Sequence, residues 1–176
     1  DKFDVVSLKD AILSWEQGES LNRKLVITFD DGFSEWFEVV APILKSEGIP
    51  AIFFVTTDTI DNKNLLWRHQ ISLCLDALNN LQNMEHLKSQ FSKLLGREVT
   101  TVTDISNELK RKTFEDLPII ENICGLLKID TEKFLKENKP YLTSEQILAL
   151  SDDGFTIGAH GQSHCKLNSL SKVDAR

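Results

Sequence analysis

The sequence predicts an α/β fold interrupted by an all-α insertion, and three observations carry that prediction. Two short apolar runs, at 24–29 and 51–55, flank a segment of helical periodicity, the pattern of a right-handed strand–helix–strand unit. A third β-rich run, at 155–159, comes only after a long interval in which apolar residues recur at helical spacing and β-branched runs are scarce. Charge divides the chain at the same places. Residues 60–140 hold 12 acidic and 12 basic side chains, whereas the remainder holds 15 and 8 and so carries the whole net charge of −7.

In chain order, Leu8, Ala11, Ile12 and Trp15 share a helical face, Ser7 before them is a plausible N-cap, and Gly18 ends the element. Residues 24–29 are almost continuously apolar, as in a strand buried on both faces of a parallel sheet, and run into Asp30-Asp31-Gly32. Trp36, Val39, Val40, Ile43 and Leu44 mark a helix between Phe33 and Glu47, stopped by Gly48 and Pro50. The strand at 51–55 then leads into Thr56-Thr57-Asp58-Thr59. Within the interval, Ile71, Leu75, Leu78 and Leu81 mark a helix in 65–95. Three more are expected at 104–112, capped by Asp104, at 114–127 and at 131–137, with Pro118 breaking or starting one. Thr143-Ser144-Glu145-Gln146 reads as a capped helix start running to Leu150. Residues 155–159 read as another buried strand, emptying into His160-Gly161-Gln162-Ser163-His164. The expected divisions are therefore 1–59, 60–140 and 141–176.

Composition narrows the function. With 176 residues, 41% hydrophobic and 27% charged, the chain reads as globular rather than disordered or fibrous. No apolar run reaches the roughly 18–20 residues of a membrane-spanning helix, and the net charge of −7 argues against nucleic-acid binding. Cys74, Cys124 and Cys165 are widely spaced without a CxxC pair, so neither a disulfide framework nor a thiolate zinc site is expected. These cysteines and the lack of a leader pattern tilt the expected location toward the cytoplasm. A start at Asp1 is that of a processed or trimmed chain, which leaves a secreted or envelope location open.

Polar clusters at the carboxyl ends of parallel strands are where α/β proteins place their sites. One such end presents Asp30 and Asp31, another His160 and His164. Two histidines four apart reach one metal if the segment makes a helical turn, and a carboxylate from a neighbouring strand end completes a 2-His-1-carboxylate face with open positions. Adjacent carboxylates on an extended backbone point apart, so one can bind metal while the other takes a proton. Alone, Asp-Asp-Gly reads as a turn and His-x-x-x-His as a chance pattern; together, each directly after a strand, they favour a metal site. A 2-His-1-carboxylate iron oxygenase would instead show an all-β pattern. His69 and His86 read as surface or interface residues, Cys165 as a small buried side chain, and Trp36 and Trp67 as packing residues. Thr56, Thr57 and Asp58 either line the pocket or satisfy their own loop.

These segments resemble a family. Thr28-Phe29-Asp30-Asp31-Gly32 resembles the first motif of the polysaccharide deacetylases, the NodB-homology group of carbohydrate esterases, and Ala159-His160-Gly161-Gln162-Ser163-His164 resembles the second. The likeness extends through Ala41-Pro42-Ile43-Leu44-Lys45 and residues 48–55, and through 142–146 and 154–158 into the second motif. Residues 3–8 and Leu66-Trp67 are similar, more loosely, to a bacterial subgroup with a helical insertion after the second strand.

The resemblance implies part of a distorted (β/α)7 barrel that hydrolyses N-acetyl amide bonds of an envelope polysaccharide or oligosaccharide. It implies a divalent metal, commonly zinc, held by Asp31, His160 and His164, with Asp30 as catalytic base. Gly161 stands where the family usually has Ser or Thr, for which a modest change of geometry is expected. The family's later motifs, an Arg near a Pro, an Asp with a Trp, and a Leu-x-His supplying the general acid, would follow the second and lie outside residues 1–176. This chain by itself is therefore expected to be inactive, with self-association through an open sheet edge or the insertion. The alternative is a non-catalytic carbohydrate-binding or assembly module that keeps the metal site.

Overall fold

Three short parallel strands organise the part of the chain that carries both motifs. The computed structural model describes residues 2–166 and divides into two units, one ending at Asn64 and resuming over Lys139–His164, the other built on Leu65–Asn138.

In the first unit, β1 (Asp4–Val5) pairs in parallel with β2 (Lys24–Leu25). Between them α1 (Leu8–Glu16) starts at Ser7, whose side chain accepts from the Asp10 amide at 3.1 Å. Strands β3 (Ile27–Phe29), β4 (Ala51–Val55) and β5 (Thr156–Ala159) form a parallel sheet in that order. The apolar run 24–29 therefore breaks at Val26 and feeds two sheets. Its expected burial on both faces is not observed, since Leu25 is 43% exposed and Thr28 is also exposed. The run 155–159 behaves alike: Phe155 is buried, while Thr156 and Ala159 are exposed. The cause is position. Among the described residues only β4 is hydrogen-bonded on both sides, and it alone reads as nearly continuous burial. Phe53 on β4 is fully buried, stacked on Phe29 at 5.2 Å and edge-on to Phe155 at 5.3 Å, with Ala41, Leu44, Leu142 and Leu150 around it. The described strands form no closed barrel.

The helix expected over 33–47 opens with a π-helical turn at Trp36–Val40 before α2 (Ala41–Ser46). Pro42 has no N–H and its ring would collide with the carbonyl four residues back. The wider turn relieves this, with the Ala41 amide reaching Trp36 O. Gly48 (φ 63°) ends the element, and the Ile49 amide returns to Leu44 O at 2.9 Å.

The ends of the first unit's two segments are sewn together. Asn62 exchanges two 3.0 Å hydrogen bonds with the backbone of Tyr141. The Asp61 carboxylate accepts from the Ser144 amide and hydroxyl, which hold its carboxyl below the usual value. Residues 140–142 also bond to the turn after β3: Ser34 N–H donates to Pro140 O and Leu142 N–H to Gly32 O, both at 2.9 Å. Helix α8 (Ser144–Asp152) then starts with a capping box between Thr143 and Gln146, running two residues past the expected Leu150.

Gly158 on β5 has the ring of Phe54 against it; a Cβ there would lie 2.5 Å from two ring carbons. Gly158→Ala is expected to lower stability by about 1–3 kcal/mol through overpacking, read as a lower urea midpoint. An unchanged midpoint would show that the Phe54 ring moves aside freely.

The second unit has helices and no strand among its described residues: α3 (Trp67–Asn79), α4 (Lys88–Leu95), α5 (Val102–Arg111), α6 (Leu117–Leu126) and α7 (Thr131–Asn138). Its core includes Cys74, Phe91, Ile105, Leu109, Ile120 and Ile123, each fully buried. The cap of α5 is Thr101, not Asp104. Thr101 Oγ1 accepts from the Asp104 amide at 3.1 Å, and the Asp104 carboxylate accepts from the Thr101 amide at 2.9 Å. The aspartate is thus the third residue of a capping box. The Thr100 amide and then Thr101 hold its carboxyl down to about 2. Pro118 sits in the first turn of α6 and so starts a helix. Cys74 on α3 and Cys124 on α6 are free and buried with their sulfurs 3.3 Å apart, a pairing their separation in sequence did not show. No described helix is long and apolar enough to cross a membrane.

Candidate metal centre

The sheet register delivers the site. Phe29, Phe53 and Ile157 lie level across the three parallel strands, so Asp30, Thr56 and His160 all leave at one end. Asp31 (φ 73°) and Gly32 (φ 77°) are both left-handed, which corrects the expectation of an extended backbone there. The turn crosses the end of β4 closely, and a Cβ on Gly32 would lie 3.3 Å from Val55 Cγ1. A left-handed Asp costs on the order of 1–2 kcal/mol, and here it swings the Asp31 carboxylate toward the histidines.

His160 is set by its amide, which donates to Val55 O at 2.8 Å. Residues 161–164 then form a bend with left-handed Gly161 (φ 80°) and His164 (φ 55°) instead of the expected helical turn. The bend brings the two imidazoles face to face, 5.0 Å between centroids. Asp31 Oδ1 lies 3.3 Å from His160 Nδ1 and 3.1 Å from His164 Nε2. One ligand atom from each of Asp31, His160 and His164 falls within 4.8 Å of the others, and all three residues are half-buried.

Asp30 stands beside this group. Its Oδ2 is 3.7 Å from His160 Nε2, and its side chain is 56% exposed against 24% for Asp31. Its backbone is pinned, because Trp36 Nε1 donates to Asp30 O at 2.8 Å while the indole packs on Phe29 and Phe33. Trp36 is thus a packing residue that also fixes the site.

The donors suit a divalent cation. Asp31 Oδ1 and His160 Nδ1 are buried and make no hydrogen bond, although they lie near one another. Buried polar atoms without a hydrogen bond carry an uncompensated desolvation cost of about 1–3 kcal/mol per group, which coordination would remove. Two imidazoles and one carboxylate form a mixed N/O set suited to zinc and its first-row neighbours.

The remaining sequence candidates fall elsewhere. His86 is exposed, and His69 packs edge-on against Phe134 at 5.2 Å. Trp67 is a core residue of the helical unit with the Arg68 guanidinium 4.4 Å from its ring. Cys165 is half-buried rather than buried. Thr56 is fully buried, and Thr57 and Asp58 bond to the loop between the histidines. Their place directly after the middle strand was the signal for that last contact.

The family model described as polysaccharide deacetylase matches residues 17–176. Neither the curated proteins nor the solved structures compared with the chain include a match.

Proposed function

The chain belongs to the polysaccharide deacetylase family, and from that premise we propose that it removes N-acetyl groups from an envelope polysaccharide by metal-dependent hydrolysis of the amide C–N bond. The observation that carries this reading is the convergence of Asp31, His160 and His164 at the strand ends, with Asp30 at their edge. In this reading those three residues hold a divalent cation, zinc, and Asp30 is the base. The cation supplies Lewis acidity toward the amide carbonyl and makes water easier to deprotonate.

The two aspartates divide the work because the backbone treats them differently. Asp31 is turned inward by its left-handed φ, whereas Asp30 is fastened through its carbonyl, which leaves its carboxylate exposed toward solvent. An exposed carboxylate is placed to accept the proton of an attacking water as the carbonyl carbon is approached. Cleavage of the C–N bond needs a proton on the departing nitrogen, which a general acid supplies while Asp30 returns the water's proton to solvent, and the products are acetate and the free amino sugar. The same reading makes the parallel strands part of a distorted (β/α)7 barrel and residues 60–140 its helical insertion, a division supported by the separate core of the helical unit.

The test is acetate release from an N-acetylated amino-sugar polymer, with matching appearance of free amines. Measured on protein that also carries the general acid the resemblance places in a later motif, release is expected with zinc, to stop with a chelator, and to return on adding the metal back. Such a protein, zinc-loaded and bound to the polymer yet releasing no acetate, would establish the non-catalytic module instead.

A further inference from the structure

The loop between the two histidines, Gly161-Gln162-Ser163, has neither helix nor strand to hold it, yet it must deliver His164 in a left-handed conformation that a non-glycine residue adopts reluctantly. The segment after β4 supplies the restraint. Thr57 N–H donates to Gly161 O at 3.1 Å and Asp58 N–H to Gln162 O at 3.0 Å. Ser163 Oγ donates to Asp58 Oδ2 at 2.5 Å. Asp58 is itself anchored, since Asn64 Nδ2 donates to its carbonyl at 3.0 Å and Thr59 Oγ1 to Thr56 O at 2.8 Å.

Two of the three bonds to the loop are backbone bonds available to most residues. The third depends on side-chain identity, is short, and runs from a hydroxyl to a carboxylate, the stronger class of hydrogen bond. It grips the residue immediately before His164. We propose that Asp58 is a positioning residue for the metal centre: by accepting from Ser163 it fixes the left-handed entry into His164, and with it the 3.1 Å approach of His164 Nε2 to Asp31. This rests on reading Asp31, His160 and His164 as metal ligands. Outer partners that orient ligands in this way typically govern affinity by about 10–100-fold.

Zinc affinity, measured on metal-stripped protein by competition with a chromophoric chelator, tests it, alongside the unfolding midpoint of each metal-free variant. Asp58→Ala and Ser163→Ala should each weaken zinc by about 10–100-fold, and the double variant should be no weaker than the worse single. Asp58→Asn retains an acceptor oxygen and should recover most of the affinity, which separates the hydrogen bond from the charge. With cobalt in place of zinc, the visible spectrum of Ser163→Ala should shift, a change that loss of stability alone does not produce. Wild-type affinity in Asp58→Ala, additive losses in the double variant, or Asp58→Asn as weak as the alanine variant would each overturn the proposal. Should Asp58→Ala not fold, Ser163→Ala, which removes a single hydroxyl, decides it. A wild-type protein that takes up no zinc would overturn the metal reading itself, whereas zinc binding indifferent to Asp58 overturns only the positioning role.

Discussion

Asp31→Ala is expected to yield a folded protein that carries no zinc after purification, read by elemental analysis. Asp31 Oδ1 lies 3.3 and 3.1 Å from the two histidines, so its removal leaves no carboxylate between the imidazoles, Asp30 facing only the other nitrogen of His160 at 3.7 Å. The loss of affinity should exceed the roughly 10–100-fold attached to an outer partner. The fold should tolerate the change, because the metal-free protein loses a buried oxygen that makes no hydrogen bond. Backbone strain is the complication: Asp31 sits at φ 73°, where alanine lacks the short polar side chain that eases aspartate into this region. Asp31→Gly is the control, since glycine adopts that φ freely while still removing the carboxylate. Both variants should be zinc-free, with glycine the more stable by roughly 1 kcal/mol. Wild-type zinc content in either would remove Asp31 from the ligand set.

The site was legible in the sequence as far as local pattern reaches. Apolar runs announced strands, and strand ends announced Asp30, Asp31, His160 and His164, because a parallel sheet gathers its carboxyl ends on one side. Burial was not legible. Whether residues 24–29 are covered on one face or two depends on which strands lie alongside, and β3 proved to be an edge among the described residues while β4 is central. The path between the histidines was hidden for a similar reason. Spacing four apart suggested a helical turn, but the φ of 55° at His164 goes with contacts from Asp58, which lies 105 positions from Ser163 in sequence. At Thr101 the failure was different: Thr-x-x-Asp was present locally, and two residues competed for one cap. The different placements of Asp30 and Asp31 likewise follow from a left-handed turn and from Trp36 reaching back to Asp30 O at 2.8 Å.

In protein that also carries the general acid, Asp30→Asn should retain zinc and lose turnover, by about 10²–10⁴-fold if the carboxylate works as a general base. Asparagine keeps the size of the side chain and cannot accept the proton, while the Trp36 bond to the Asp30 carbonyl is indifferent to the substitution. The prediction is sharp because the structure offers Asp30 a second role. His160 presents Nδ1 to Asp31 and Nε2 to Asp30, the latter at 3.7 Å, and a carboxylate on the far nitrogen of a ligating imidazole commonly orients the ring and raises its basicity. These roles separate in measurement. A base removed leaves zinc affinity nearly unchanged as acetate release collapses, and the exposed position of the Asp30 carboxylate favours this outcome. An orienting partner removed costs about 10–100-fold in affinity, with turnover returning as zinc is raised to refill the site. Recovery of near wild-type acetate release at saturating zinc would therefore take Asp30 out of the proton transfer and place it behind His160.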